Sequence, residues 1–131
     1  MNGESVQRWA EAYRVAWESA DSEAAASLFS EAGTYRDNIF EEPHEGRAGV
    51  AEYWSGATAA QSNVTVQMGE PHVDGERAVV EFWTTMDLDG DPVTLAGALL
   101  LVFDQDGLCR SLREYWNFTE GHNDPPPSWG M

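Results

Sequence analysis

Two acidic residues occur in short segments that are rich in aromatic side chains. Asp37 closes the segment Thr34-Tyr-Arg-Asp37, and Glu114 lies within Leu112-Arg-Glu-Tyr-Trp116. Burial without a cation raises the pKa of a carboxyl group, because it disfavours the charged form. Two carboxyls with separated pKa values are the usual means of general acid and base catalysis near neutral pH. Asp37 and Glu114 become candidates for proton transfer if the fold turns both of them into one apolar pocket.

Each carboxyl also has a structural interpretation. Asp37 can end a strand and cap the following turn through its side chain. Glu114 can form an ion pair, and Arg110 is the more reachable partner because Arg113 points to the other face of an ideal strand. Such a pair would hold Glu114 ionised and weaken its suitability as an acid.

Other catalytic constellations are missing from the sequence. The three histidines, His44, His72 and His122, do not have the spacing of zinc ligands. The segment Asp87-Leu-Asp-Gly-Asp91 resembles part of a calcium loop without its downstream glutamate. Neither a serine-nucleophile elbow nor a phosphate-binding glycine loop is present. The sequence predicts no metal site and no cofactor.

The composition of the chain limits the classes of binding partner and the cellular compartment that we expect. The 131 residues carry 7 basic and 23 acidic side chains, a net charge of -16, which disfavours binding to nucleic acid or to an anionic membrane. The polar N-terminal segment does not resemble a secretory signal, and the longest apolar stretch, Ala96–Phe103, is too short to span a bilayer. Cys109 is the single cysteine and excludes an internal disulfide. The sequence predicts a cytoplasmic, single-domain protein.

Apolar spacing predicts three helices in the first half of the chain and long strands in the second half. Helical spacing occurs at Val6, Trp9, Ala10, Tyr13 and Trp17, at Ala25, Leu28 and Phe29, and at Val50, Tyr53, Trp54 and Ala57. Ser5 is predicted to cap the first helix, Gly33 to end the second, and the third is predicted from Arg47 to Ala60. Alternation predicts strands at Thr34–Asp37, Val64–Met68, Arg77–Met86, Val93–Phe103 and Leu108–Phe118.

Several of these strands are apolar on both faces, so both faces of the sheet must be covered. The helices can cover one face. A second copy of the chain is predicted to cover the other, which makes a homodimer the natural expectation. Residues 1–120 are predicted to form the domain. The proline-rich tail, 121–131, is predicted to lie irregularly over the fold or the dimer.

The order of elements resembles the nuclear-transport-factor-2-like superfamily and is most similar to SnoaL-like proteins. The motifs that carry the resemblance are Trp9-x3-Tyr13-x3-Trp17, Ala25-x2-Ser27-Leu28-Phe29, Thr34-Tyr-Arg-Asp37, Pro43-His-Glu-Gly-Arg47, Asp89-Gly90 and Leu112-Arg-Glu-Tyr-Trp116. The resemblance implies an α+β fold, a cone of three N-terminal helices packed on a curved antiparallel sheet. The superfamily contains isomerases, cyclases, epoxide hydrolases, dehydratases and non-catalytic binders, so the fold leaves the function open.

The resemblance to the ketosteroid isomerases of this superfamily implies roles for individual residues of this chain. Their oxyanion-hole tyrosine corresponds to Tyr13 and their general base to Asp37. Their second oxyanion donor, a protonated aspartate, corresponds to Leu99, which disfavours classical steroid isomerisation. The same register places Glu114 inside the cone, with Tyr53 along the rim and a set of ligand-contacting strand residues inside: Phe82, Thr84, Leu99, Leu101, Leu112 and Trp116. Trp17 of the first helix is predicted as a further ligand contact. It directs the opposite strand face, with Glu81, Trp83, Thr85 and Tyr115, towards the partner subunit.

Three functions are compatible with this pattern. The first is a cofactor-independent isomerase or cyclase acting on a hydrophobic small molecule, with Asp37 as base, Glu114 as acid and Tyr13 as oxyanion donor. The second is a non-catalytic protein that binds an apolar ligand in the same cone. The third is a structural dimerisation domain whose cone is filled by large side chains such as Trp116. A pKa well above the ordinary carboxyl range favours the first.

Overall fold

The fold combines three helices with one seven-stranded sheet, as seen in a computed structural model that describes all 131 residues. The helices are α1 (Gly3–Glu18), α2 (Ser22–Ser27) and α3 (Gly46–Thr58). The strands are β1 (Phe29–Arg36), β2 (His44–Glu45), β3 (Gln61–Met68), β4 (His72–Asp74), β5 (Arg77–Leu88), β6 (Asp91–Phe103) and β7 (Cys109–Glu120). The predicted α+β class is confirmed.

The sheet has the strand order β2-β1-β7-β6-β5-β3, with β4 paired to β5. All neighbours are antiparallel except β1 and β7, which run parallel. This parallel pair joins the first strand after the helices to the last strand of the chain. It brings together residues that lie about eighty positions apart, which no local pattern in the sequence indicates.

Helix α1 begins one turn earlier than the predicted cap. Asn2 is the N-cap, and Ser5 completes a capping box in which each side chain accepts from the other residue's backbone N–H. The predicted apolar stripe is buried, from Val6 to Trp17. This helix packs against β3, and α3 packs against β1, so the helices cover one face of the sheet, called here the inner face.

Gly33 does not end α2, so that prediction is wrong. The helix ends at Ser27, and β1 already starts at Phe29, which is fully buried and paired with Cys109. Gly33 lies where the register of β1 against β7 shifts, and a side chain there would meet the Cys109 carbonyl oxygen at 2.8 Å. Pairing with a distant strand has overridden the local helix pattern.

The proline-rich tail packs on the outer face of the sheet. The indole Nε1 of Trp83 donates to the Asn123 carbonyl oxygen at 2.8 Å, and its ring meets that of Trp129 edge-on at 6.0 Å between centroids. The backbone N–H of Gly130 donates to Oε1 of Glu81 at 3.3 Å. Two residues predicted to face a partner subunit, Glu81 and Trp83, are thus contacted by the chain's own tail.

None of the helices combines the length and the apolar character that crossing a bilayer requires.

Candidate functional site

The parallel pairing of β1 and β7 brings the two candidate carboxyls to one place. Tyr35 is opposite Leu112 and Arg36 is opposite Arg113, so Asp37 and Glu114 are the next residues along each strand. Both line an open groove of about 460 Å³. The groove is lined by Asp37, Asn38, Ile39, Phe40, Glu114, Tyr115, Trp116 and Asn117.

Glu114 is a buried carboxyl without a cation. Glu114 is only 8% exposed, and the Tyr35 hydroxyl donates to its Oε2 at 3.2 Å. Arg110, the expected partner, instead lies with Nη2 at 3.4 Å from Oε2 of Glu76. Burial raises the pKa of Glu114 to about 8, against a lowering by the Tyr35 hydrogen bond and with a further increase from Asp37. Glu114 is therefore mostly protonated at neutral pH, and the ion-pair interpretation is wrong.

Asp37 lies at the mouth of the groove and is paired with a histidine. Its Oδ1 is 3.0 Å from Nε2 of His44, and its backbone carbonyl accepts from Nε1 of Trp116 at 2.8 Å. The turn that follows is capped by Asn38, whose Oδ1 accepts from the Phe40 backbone N–H at 3.0 Å. The Asp37 carboxylate is consequently free of the turn-capping role considered above.

Aromatic rings from β1, β2 and α3 hold this pair of acids in place. The ring of Tyr53 lies 4.8 Å from that of Tyr35 and 4.6 Å from that of His44. Burial raises the pKa of Tyr53, and the nearby carboxyls of Glu114 and Asp37 raise it further. Tyr35 and His44 are the site residues that sequence reasoning missed. One signal for Tyr35 was available, because alternation along a strand places it on the same face as Asp37.

Tyr13 lies deeper, beneath the two acids. It is 1% exposed, its ring stacks on Trp9 at 5.3 Å, and its hydroxyl has no hydrogen-bond partner. Burial raises the pKa of Tyr13 well above its ordinary value, and Glu114 adds to that increase. Leu99 is directly opposite Glu114 on β6. Glu114 therefore lies one strand away from the position that corresponds to the second oxyanion donor of ketosteroid isomerases.

The remaining predicted ligand contacts divide into two groups. Trp116 is 46% exposed and lines the groove with Asp37 and Glu114. Tyr53 is half-buried beside His44. The others lie within the continuous buried core: Trp17, Phe82, Thr84, Leu99, Leu101 and Leu112. In that core the rings of Trp17 and Phe82 are 5.7 Å apart, and the Thr84 hydroxyl has no partner.

Potential metal ligands are dispersed over the structure. No group of three or more His, Cys, Asp or Glu side chains is close enough to hold a metal ion. Cys109 is buried, with its pKa raised by burial to about 12, so its thiol is protonated at neutral pH.

Comparison with known proteins identifies the family and the fold. The model of the SnoaL-like domain family matches residues 6–112. A Catenulispora acidiphila protein with a ketosteroid isomerase-like fold, solved in complex with trimethylamine, has a TM-score of 0.74 and 23% identity over 82% of this chain and 83% of its own. The epoxide hydrolase/cyclase-like enzyme SalBIII, which acts in pyran ring formation in the polyether salinomycin, has a TM-score of 0.76 and 21% identity over 87% and 94%.

A third structure, RV0760c from Mycobacterium tuberculosis, has a TM-score of 0.77 and 16% identity over 92% of this chain and 99% of its own. At these identities the likenesses show the fold, and they confirm the predicted cone-type architecture. No curated protein matches the sequence.

Proposed function

The chain belongs to the SnoaL-like family, and we propose that it binds a hydrophobic small molecule and isomerises or cyclises it by proton transfer, without a cofactor. The observation that carries this proposal is Glu114, a buried carboxyl that touches a tyrosine hydroxyl, has no cation and borders a groove shared with Asp37. A carboxylic acid that stays protonated at neutral pH is a general acid, and a second, more exposed carboxylate can serve as its base.

In the proposed isomerisation the two carboxyls act in concert. The Asp37 carboxylate removes a proton from a carbon next to a substrate carbonyl, while Glu114 donates its proton to the carbonyl oxygen. Return of a proton to a different carbon, and of the oxygen's proton to Glu114, completes the shift of the double bond. With an epoxide, Glu114 protonates the epoxide oxygen as Asp37 deprotonates the attacking hydroxyl, and exchange with water resets both groups.

Neighbouring side chains support these roles. The Tyr35 hydroxyl occupies Oε2 of Glu114 and leaves Oε1 to carry the proton. His44 holds Oδ1 of Asp37 and leaves Oδ2 to accept a proton from the substrate. Tyr13, the predicted oxyanion donor, is buried beneath the groove and does not line it, so we propose that it acts on the site through its neighbour Tyr35.

The test is turnover of a panel of apolar enones, ketones and hydroxy-epoxides by wild type, Asp37→Asn and Glu114→Gln. Both variants preserve shape and remove the proton chemistry, so each should lower kcat by about 10²- to 10⁴-fold. Asp106→Asn, an exposed change in the β6–β7 turn, is the matched control and should leave kcat unaltered. Turnover that survives in both site variants ends the catalytic assignment.

One observation favours the second candidate, a non-catalytic binder. The space under the sheet is occupied by buried aromatic side chains, whereas the groove is open and exposes Trp116 and Phe40, which is 95% exposed. Flat apolar ligands bind such surfaces through ring stacking alone. Binding that is equally tight in wild type and in Glu114→Gln, with no turnover of any panel compound, would favour this candidate.

We also propose that the chain forms a homodimer through the part of the outer sheet face that the tail leaves open. Val79 is 39% exposed and Tyr115 is 43% exposed on this face, with Leu100 half-buried beside them. Analytical ultracentrifugation of wild type should show a dimer that Tyr115→Glu dissociates. A monomeric wild-type protein at high micromolar concentration contradicts the proposal.

A further inference from the structure

We propose that the tail is a detachable strap, which competes with a second copy of this chain for one strip of the outer sheet face. The strip, called here the covered strip, consists of Glu81 and Trp83 on β5 and Thr94 on β6. The second copy is the partner in the homodimer proposed above, on which this inference rests. The competition itself is carried by the contacts of the tail.

The start of the tail is tied to Thr94. The Thr94 hydroxyl donates to the Gly121 carbonyl oxygen at 2.7 Å and accepts from the Asn123 backbone N–H at 3.0 Å. Thr94 is only 2% exposed beneath these bonds. The Asn123 carbonyl oxygen in turn accepts from Nε1 of Trp83. The tail therefore crosses from β6 to β5 on the face of the sheet that lies opposite the helices.

The end of the tail packs against the loop that follows β3. The Gly130 backbone N–H donates to Oε1 of Glu81 at 3.3 Å, and the Gly130 carbonyl oxygen accepts from the Glu70 backbone N–H at 2.6 Å. Gly69 lies directly against Gly130, because a Cβ at position 69 would meet the Gly130 Cα at 2.9 Å. The docked position of the tail end thus depends on a glycine at position 69.

Between these two ends the tail is weakly held. Most of its side chains are exposed, Pro126 and Pro127 among them, and Gly130 is its only buried residue. Ser128 has a φ of 69°, a left-handed conformation that costs free energy in a residue other than glycine. Segments with few buried contacts open at low cost in free energy. The tail therefore leaves the covered strip reversibly while the sheet stays folded.

The covered strip is continuous with the open part of the outer face. Strand register forms two rows across β5, β6 and β7, with Glu81, Ala98 and Tyr115 in one row and Trp83, Ala96 and Asn117 in the next. The tail covers the β5 end of both rows, whereas Tyr115 at the β7 end is 43% exposed. The open end offers a handful of side chains, and a stable interface uses about 20–30 residues of each copy. Release of the tail adds Trp83, a residue type that is enriched at interfaces.

The charge of these rows favours a second copy as the occupant. A third row, formed by Val79, Leu100 and Arg113, lies beside the first. The three rows contain one acidic and one basic side chain, Glu81 and Arg113, so they are neutral on a chain whose net charge is -16. Two copies can approach through this face with less repulsion than through the acidic surfaces. The docked tail adds the exposed carboxylate of Asp124 and so opposes a second copy by charge as well as by volume.

The competition between tail and second copy has a simple thermodynamic form. A second copy can cover the strip only when the tail has left it, and a symmetric dimer requires this of both copies. The apparent affinity of the dimer is therefore reduced by the fraction of open molecules, once for each copy. Docking of the tail is intramolecular and does not depend on protein concentration. The tail thereby sets the concentration at which tight dimers form.

Two variants of the full chain should release the tail without changing the sheet face. Gly69→Ala places a Cβ against Gly130, and Trp129→Ala removes the ring contact of the tail. Analytical ultracentrifugation over a concentration series should show dimers at least about tenfold tighter in both variants than in wild type. Gly3→Ala, which meets nothing within 4 Å, and Met131→Ala are the matched controls and should have the wild-type affinity.

The indole N–H of Trp83 reports on tail docking independently of dimer formation. Its hydrogen bond to Asn123 should slow exchange with solvent in wild type, and both release variants should speed this exchange at low protein concentration, where NMR can follow it. Adding Trp83→Ala to Gly69→Ala should return the dimer affinity to the wild-type value, because the gain comes from that side chain.

The outcomes separate the strap from the homodimer. Tighter dimers in both release variants support the strap, even where wild type alone stays monomeric and so contradicts a dimer through the open part of the face. Equal or weaker dimers in the release variants overturn the strap and leave the homodimer standing. A Trp83 N–H that stays protected in both variants overturns the strap as well. Monomers in every protein overturn both proposals.

Discussion

At the scale of single residues, the protein is defined by a carboxyl that its surroundings keep neutral. The Glu114 carboxyl is buried away from water and forms no ion pair, and the Tyr35 hydroxyl is its only hydrogen-bond partner. Burial of an unpaired charge is costly, so the proton stays on the side chain. Burial keeps Glu114 protonated and so makes it a suitable acid. The same burial lowers the stability of the fold at high pH, where the carboxyl loses its proton.

The first prediction concerns stability and pH. The pKa of Glu114 is about 8 in the fold against 4.5 without burial, so the folded chain binds this proton more tightly than the unfolded chain does. The contribution of Glu114 to the free energy of unfolding is therefore lost as pH rises from about 4.5 to 8, by at most about 1.4 kcal/mol per pH unit. Glu114→Gln should flatten this decline in urea unfolding between pH 5 and 9. Parallel curves for the two proteins contradict the prediction.

The second prediction concerns Tyr35. Its hydroxyl stabilises the ionised form of Glu114, so Tyr35→Phe should raise the pKa of Glu114 above 8, by about one unit. NMR titration of the Glu114 side-chain carbon measures this value directly. Tyr115→Phe, on the other strand face, is the control and should leave the titration in place. A lowered or unaltered Glu114 pKa in Tyr35→Phe is incompatible with the hydrogen bond.

At the scale of elements, two neighbours of β7 build the site. Parallel pairing with β1 sets Asp37 beside Glu114, and antiparallel pairing with β6 sets Gly97 beside Trp116. Glycine at that point allows a backbone approach that any side chain would prevent. The geometry of the groove therefore depends on the closeness of β6 and β7.

The third prediction compares two glycines. Gly97→Ala introduces a Cβ that overlaps the Tyr115 carbonyl oxygen and lies 2.8 Å from the Trp116 Cα, and it should reduce the free energy of unfolding by about 1–3 kcal/mol. Gly56→Ala in α3 meets nothing within 4 Å and should increase it, by up to about 1 kcal/mol, because alanine favours the helix. Urea denaturation of both variants checks the pair. Similar effects of the two changes would show that β6 and β7 are not in such close contact.

At the scale of the whole molecule, the chain covers part of its own sheet. The helices bury the inner face, and the tail contacts Glu81 and Trp83 on the outer face. Thr94 and Gly121 anchor the start of the tail through a hydrogen bond of 2.7 Å. The tail thereby contributes to the fold, and its end is held by residues of the sheet.

The fourth prediction tests this covering. Trp129→Ala removes the ring contact with Trp83 and should lower the free energy of unfolding by about 1–2 kcal/mol. Met131→Ala, at a position that is 73% exposed, should have no measurable effect. Thermal unfolding of the two variants beside wild type makes the comparison. A neutral Trp129→Ala would mean that the tail does not stabilise the sheet.

The sequence by itself determined the class of fold and the order of elements. Helical and strand periodicities are local properties, and burial follows them closely, as for Val6 to Trp17 in α1 and the alternating residues of β5. The observed element boundaries differ from the predicted ones where pairing with a distant strand was stronger than the local pattern, as at Gly33. The candidate acids followed from the register that the family resemblance implies, because that register turns Asp37 and Glu114 towards the inside of the cone.

Only the tertiary structure decided how those residues meet. Tyr35 and Glu114 are separated by 79 positions, and the contact between them follows from the parallel pairing of β1 with β7. The tertiary structure likewise determined that Arg110 pairs with Glu76 and not with Glu114. Such pairings depend on the packing of the whole chain, whereas periodicity reports only which side of an element is buried. The sequence could therefore name the acids, and the fold alone made one of them neutral.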